Sequence, residues 1–252
     1  MTILDDHCAI VTGAGQGVGR GIALALASEG CAVAIAGRTA AKLHAVVKEI
    51  EQRGGRAIAV ECEVADPGQI EACVERTVSE LGGIQVLVNN AQAVPLGPLL
   101  DVPDAAFQAG FDTGPLASLR FMRACHPHLK QRGGSIVNLG TGAALRPDPV
   151  GYGAYAAVKE ATRALTRAAA VEWGEDGIRV NTIIPLAMSP GMQMWVETRP
   201  DEAQAFMNTI PLRRGGDCEQ DIGRAVVMLV GPDGGYITGS TLMLDGGQAF
   251  LR

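Results

Sequence analysis

The chain has 252 residues, of which 47% are apolar, 19% charged and only 4% aromatic, with 33 glycines and a formal net charge of −6. That balance excludes global disorder, the glycines follow no three-residue period and exclude collagen, and an acidic chain without a Lys/Arg block argues against a nucleic-acid partner. No apolar run approaches the ~20 residues needed to span a bilayer. The start, Met1-Thr2-Ile3-Leu4-Asp5-Asp6, lacks the basic and apolar segments of a secretory leader, so the expected location is cytoplasmic. The six cysteines form no C-x-x-C pair and read as small buried hydrophobes, and the four histidines show no metal-ligand spacing.

In chain order, short aliphatic runs predict strands at Cys8–Thr12, Ala32–Ala36, Ala57–Val60, Gln85–Asn89, Ser135–Leu139, Arg179–Ile184 and Thr241–Leu244. The segments between them predict helices over Val18–Ser28, Ala40–Gln52, Gln69–Leu81, Phe107–Gln131, Tyr155–Trp173 and Glu219–Val230. Strands alternating with helices of this length mean βαβ units and right-handed crossovers. The scarcity of aromatics agrees, because strands covered on both faces are built from Ala, Val, Ile and Leu. The expected fold is a single doubly wound α/β domain over residues 1–252, a parallel sheet of about seven strands with helices on both faces. Residues 186–217 break the rhythm. They hold Pro190, Pro200 and Pro211 and four of the eight methionines, Met188, Met192, Met194 and Met207. Too long for a connection and too apolar for a solvent loop, they are expected to form a substrate-binding lid.

Thr12-Gly13-Ala14-Gly15-Gln16-Gly17-Val18-Gly19 joins the first strand to the first helix. Glycines there allow a tight turn and a close backbone approach to a pyrophosphate, and the helix N-terminus offers free N–H groups to the anion. At the first strand–helix turn of a βαβ unit, this pattern predicts a Rossmann dinucleotide site.

The spacing T-G-x-x-x-G-x-G is followed in order by Asn89-Asn90-Ala91, Tyr155-Ala156-Ala157-Val158-Lys159 and Leu244-Asp245-Gly246-Gly247. Together these resemble the short-chain dehydrogenase/reductase family from about residue 6 to residue 248. The resemblance implies an NAD(P)(H)-dependent oxidoreductase interconverting a secondary alcohol and a ketone by hydride transfer. It assigns Gly13, Gln16, Gly17, Val18, Gly19, Glu63, Val64, Asn90, Ala91, Pro185 and Ser189 to the cofactor, together with Tyr155 and Lys159. It also implies a homotetramer built on the long fourth and fifth helices and the C-terminal segment. Arg38, in Gly37-Arg38-Thr39 after the second strand, stands where an acid would select a ribose hydroxyl, and its planar fork suits a 2′-phosphate. That favours NADP(H), while Gln16, at the place of a second basic residue in the glycine loop, weighs toward NAD(H).

Tyr155 and Lys159 are four apart and share a helix face. A phenol of pKa about 10 becomes a base when an adjacent ammonium and an oxidised nicotinamide favour the phenolate. Tyr155 is then the acid/base and Lys159 the group that lowers its pKa. Thr141 stands where the family has a catalytic Ser and keeps a hydroxyl donor for the substrate oxygen. Gly114 stands where the family has a catalytic Asn, Gln92 replaces a Gly after Asn90-Ala91, and Leu186 replaces a Gly after Pro185. These departures keep two other readings open: a protein of this fold that binds nucleotide without redox turnover, and a non-redox lyase. Halohydrin dehalogenases, the model for the latter, lack the glycine loop and carry Arg for the Lys, and this chain does neither.

Met188, Met192, Met194, Trp195, Val196, Phe206, Met207 and Leu212 would line an apolar, adaptable pocket, with Leu145 and Val150 on the other wall. The expected substrate is an apolar alcohol or ketone, cyclic or with a long acyl chain. The alternative is that the methionines pack internally. Arg199, Arg213 and Arg214 are expected to be solvated rather than to grip an anion.

Overall fold

Along each strand, side chains leave alternately to the two faces of the pleat, and this chain fills both with aliphatics. Ala9 and Val11 join one core layer, Cys8 and Ile10 the other, and Val33 and Ile35 oppose Ala32, Ala34 and Ala36 in the same way. The result, in a computed structural model that describes residues 2–147 and 151–250, is one sheet of seven parallel strands. The strands are β1 (Cys8–Thr12), β2 (Ala32–Gly37), β3 (Ala57–Glu61), β4 (Val86–Asn89), β5 (Gly134–Leu139), β6 (Ile178–Pro185) and β7 (Thr241–Leu244). Their order is β3-β2-β1-β4-β5-β6-β7.

The helices are α1 (Gly17–Ser28), α2 (Ala40–Gln52), α3 (Pro67–Leu81), α4 (Asp104–Phe111), α5 (Ala117–Leu129), α6 (Gly153–Glu172), α7 (Pro190–Thr198), α8 (Pro200–Met207) and α9 (Arg224–Val230). Ile22 and Leu26 of α1, Leu43 and Val46 of α2 and Val226 of α9 cover one face of the sheet. Ile70 and Val74 of α3, Phe121 and Leu129 of α5 and Ala169 of α6 cover the other. Five of the six cysteines are buried in these layers and all six are free.

Two expected helices are broken. The segment read as one helix over Phe107–Gln131 is α4 and α5 joined by a π turn at Asp112–Leu116, where Gly114 leaves helical geometry (φ −99°, ψ −105°). Pro115 inside that turn has no N–H to continue the α-helical ladder. The segment read as Glu219–Val230 likewise begins with a π turn, Cys218–Gly223.

The chain winds outward from β1 to β3, then returns through α3 to place β4 on the other side of β1 and winds the opposite way. Crossovers therefore diverge between β1 and β4, and the crevice beyond their C-terminal ends is where a doubly wound sheet binds its ligand. No helix among the described residues is long and apolar enough to cross a membrane.

Candidate active site

The ends of β1 and β4 are tied together across that crevice. The N–H groups of Asn90 and Ala91 both donate to Thr12 Oγ1 at 3.0 Å, and Asn90 Nδ2 donates to the carbonyls of Thr12 (2.8 Å) and Gly13 (3.2 Å). Gly13 turns with φ +64°, a region costly to any residue with a Cβ. A Cβ on Gly19 would lie 2.5 Å from Asn90 Nδ2 and 2.7 Å from the Gly13 carbonyl. Replacing a helical Gly with Ala ordinarily favours the helix by about 1 kcal/mol. Gly19→Ala is expected to do the reverse, displacing Asn90 and the turn and weakening dinucleotide binding about tenfold or more. A fluorescence titration checks this.

Of the residues assigned from sequence to a cofactor, Gly13, Gln16, Gly17, Arg38, Glu63, Val64, Asn90, Ala91 and Ser189 line one cleft of about 390 Å³. Five lie outside its lining, among them Tyr155 and Lys159 on α6. Val18 packs against the core, Gly19 lies under the turn, and Pro185 ends β6 paired with Leu244. The residues fit a dinucleotide. The glycine turn lines the cleft, and α1, with Gln16 as its N-cap, has no side chain capping its free N–H groups, which remain available to an anion.

At the far end of the cleft, Arg38 is 77% exposed, with its guanidinium 3.5 Å from Glu63 Oε2. Lys42, in the first turn of α2, donates to Gln16 Oε1 at 2.5 Å. Lys42 supplies from α2 the second cation that the glycine loop itself lacks. Its signal was a Lys four residues after Arg38, on a helix that starts at the cleft. Ser189 caps α7, accepting from Met192 N–H at 3.4 Å.

Outside that lining, α6 carries Tyr155 and Lys159 and is held by a buried polar ladder. Asn89 Nδ2 donates to Asn138 Oδ1 (2.8 Å), Asn138 Nδ2 to Thr166 Oγ1 (2.9 Å) and Thr182 Oγ1 to Thr166 Oγ1 (2.9 Å). The Thr166 hydroxyl donates in turn to the Thr162 carbonyl at 3.0 Å. Such fully paired networks fix one arrangement of the elements they join. Asn138, Thr166 and Thr182 were not singled out from sequence, because each sits in a β- or α-pattern that shows nothing of its partner.

Lys159 is 4% exposed and its Nζ donates to the Leu139 carbonyl at 2.8 Å, 5.7 Å from the centre of the Tyr155 ring. Burial lowers its pKa to about 8. Burial also pushes the Tyr155 phenol up to about 12, opposed by a hydrogen bond with the Thr141 hydroxyl. The expectation that Lys159 draws the phenol down is therefore not met by the protein groups alone: the ammonium bonds a backbone carbonyl, and desolvation dominates. Thr141 Oγ1 also accepts from Ala143 N–H at 3.3 Å. The structure thus brings Tyr155, Thr141 and Lys159 together at the ends of β5 and α6.

The expected substrate wall divides. Met188 and Met207 pack internally around Gly215, and Trp195 and Phe206 meet edge-on at 5.5 Å between α7 and α8. Met194 and Leu212 remain exposed. Each arginine in this segment has a partner: Arg199 pairs with Glu202, Arg214 with Asp221, and Arg213 donates to the Asn208 carbonyl. Leu145 is half-buried in the loop after β5, and Val150 lies outside the described residues. An apolar rim not expected from the sequence follows β4. Leu99 and Leu100 are 73% and 99% exposed there, and Leu99 Cδ2 would lie 3.0 Å from a Cβ on Gly153, two residues before Tyr155. The run Val94-Pro95-Leu96-Gly97-Pro98-Leu99-Leu100 was its signal.

Comparison with known proteins agrees with this geometry. The family model described as Enoyl-(Acyl carrier protein) reductase matches residues 13–249. A 12alpha-hydroxysteroid dehydrogenase of Clostridium sp. is 39% identical over 256 residues, covering 98% of this chain and 98% of its own. The solved structure of a 7 alpha-hydroxysteroid dehydrogenase complexed with NADH and 7-oxo glycochenodeoxycholic acid superposes with a TM-score of 0.90 at 32% identity, covering 97% of this chain and 94% of the other. A short chain dehydrogenase from Burkholderia cenocepacia in complex with NADP superposes with a TM-score of 0.88 at 33% identity, covering 98% and 99%. With the parallel sheet, the glycine turn at its switch point and these full-length similarities, the chain belongs to the short-chain dehydrogenase/reductase family, as an NAD(P)-dependent oxidoreductase that interconverts a secondary alcohol and a ketone.

Proposed function

We propose that the protein oxidises or reduces a ring-borne secondary alcohol or ketone on a steroid-like frame, with NADP(H) as the preferred cofactor. The observation that carries the chemistry is the buried Lys159 ammonium 5.7 Å from the centre of the Tyr155 ring, with the Thr141 hydroxyl acting on the same phenol. Two hydroxyls converging on one point can hold a carbinol or carbonyl oxygen, Thr141 by donating a hydrogen bond and Tyr155 by taking or giving its proton. Bound in the cleft, a nicotinamide dinucleotide supplies or accepts the hydride and, when oxidised, adds a positive charge that favours the phenolate. Lys159 holds its ammonium on the Leu139 carbonyl 5.7 Å from the centre of the Tyr155 ring, so the shift toward phenolate depends on the positive charge that the oxidised dinucleotide would add. The exposed apolar rim at Leu96, Leu99 and Leu100, facing the start of α6, supports a rigid apolar substrate, as do the hydroxysteroid dehydrogenases among the relatives. We assign residues 186–217 as the lid over that substrate, with Met194 and Leu212 as its uncovered apolar groups. Val171 on α6 and Phe250 near the chain end are also exposed, apolar surface that a homotetramer built through these segments would cover.

The test is turnover against a panel of hydroxysteroids, their oxo forms and acyclic secondary alcohols of similar hydrophobicity. A kcat/KM for at least one steroid well above that for every acyclic alcohol is expected. Equal or better acyclic turnover would discard the steroid reading.

The cofactor preference rests on Arg38 and Lys42, two cations at one end of the cleft, where Glu63 is the one acid among the described lining residues. Charge-assisted hydrogen bonds to a phosphate contribute about 1.5–3 kcal/mol each. Arg38→Ala and Lys42→Ala should therefore each weaken NADPH binding about tenfold or more and leave NADH within about twofold. Calorimetry on both reduced forms checks this, and tighter NADH binding by the unaltered protein would overturn it.

A further inference from the structure

The loop after β4 and the π turn before α5 exchange a side chain. A Cβ on Gly114 would lie 2.6 Å from Gln92 Oε1, 2.7 Å from Gln92 Nε2 and 2.9 Å from Val158 Cγ1. The Gln92 carboxamide therefore stands where a side chain of residue 114 would begin. Its Nε2 donates to the Gly110 carbonyl at 2.8 Å and to the Ala93 carbonyl at 2.9 Å. The Gly110 carbonyl needs such a donor, because the residue five positions on, which a π turn would pair with it, is Pro115. A second strap runs alongside. Ala93 N–H donates to Thr113 Oγ1 at 2.9 Å, and the Thr113 hydroxyl donates to the Ala109 carbonyl at 2.7 Å. Val158, the residue immediately before Lys159, borders the same space: a Cβ on Gly114 or Gly110 would lie 2.9 or 3.2 Å from its methyl groups.

We propose that Gln92 is a positioning residue for Lys159: reaching across from the cofactor loop into the space Gly114 leaves, its carboxamide holds the π turn open against Val158 and so sets the place of Lys159. Residue 114 is glycine because that carboxamide occupies its Cβ position. Gln92 and Gly114, two separate oddities in the sequence, are then one complementary pair. The pair's value to turnover rests on Tyr155 and Lys159 being the reacting groups, but its existence does not.

The experiment uses the cofactor-free full chain and the variants Gln92→Gly, Gly114→Ala, their combination, and Gln92→Gly with Gly114→Asn. Two readouts need neither substrate nor cofactor: amide hydrogen exchange over residues 110–116, and the titration midpoint of Lys159 followed by the carbon shift next to its ammonium. Gln92→Gly is expected to speed exchange in the turn about tenfold and to move the Lys159 midpoint. Gly114→Ala alone should do the same by evicting the carboxamide. The Gln92→Gly/Gly114→Ala combination should be no worse than Gln92→Gly, since residues in contact are non-additive. An Asn at 114 in the Gln92→Gly background should restore protection by returning a carboxamide to the same space. Exchange unchanged in Gln92→Gly, or effects that multiply in the combination, would refute the pair. Faster exchange with an unmoved Lys159 midpoint would refute the positioning role. Where a substrate is in hand, the pH limb of kcat should follow the midpoint while KM for NADP(H) stays within about twofold. Failure of the steroid panel leaves the exchange and titration results decisive.

Discussion

Tyr155→Phe is expected to lower kcat by about 10³-fold, within the range that general acid–base groups contribute, while the dissociation constant for NADP(H) changes by less than about twofold. The substitution removes one oxygen. It leaves the ring, its 5.7 Å contact with the Lys159 ammonium and the cleft lining in place. The phenol stands at about 12 in the protein alone, held up by burial, so its proton leaves readily only when more positive charge is present nearby. The rate of alcohol oxidation should accordingly rise with pH and flatten below 12, by an amount that measures that added charge. Steady-state rates from pH 6 to 10, alongside a binding titration, check both statements. A Phe variant retaining more than about a tenth of the activity would remove Tyr155 from the chemistry.

Lys159→Met is expected to abolish measurable turnover and to change stability with a pH dependence of defined sign. Burial takes the Lys159 pKa from 10.5 to about 8, so between those values the unfolded chain holds a proton that the folded chain has lost. Stability from this group therefore rises with pH from about 8 to 10.5, and below 8 the full cost of a buried ammonium is present. That cost is about 3 kcal/mol at 1.36 kcal/mol per pKa unit. Removing the charge should favour the Met variant relative to the parent at pH 7, offset in part because the Leu139 carbonyl loses its donor. Whatever the offset, the difference between variant and parent should shrink by about 2–3 kcal/mol between pH 7 and pH 10. Denaturant melts of both proteins at the two pH values measure it. A difference independent of pH would mean that Lys159 titrates at its ordinary value and is not desolvated.

Much of this molecule was legible in one dimension. The strand positions follow from aliphatic runs that a two-faced burial requires, and the expected β1 and β7 bounds match the observed ones. The glycine turn was legible because only glycine tolerates its geometry, and the Tyr155–Lys159 pairing because helical periodicity puts residues four apart on one face. What escaped depends on residues distant in sequence. The single helix expected over Phe107–Gln131 is broken because Pro115 removes a donor and Gln92, more than twenty residues earlier, supplies a replacement. Lys42 reached the cofactor cleft through the packing of α2 beside the glycine turn.

Length, composition and periodicity by themselves determined the architecture and the glycine turn and put Tyr155 and Lys159 on one helix face, because each is written in local spacing and residue type. Only the tertiary structure decided where charge and hydrogen bonds are left unsatisfied. Desolvation holds Tyr155 up and Lys159 down, Thr166 joins β5, β6 and α6, and Gln92 fills the space above Gly114. Burial and contact across the sheet are properties of the folded ensemble of residues, so no single segment of the chain carries them.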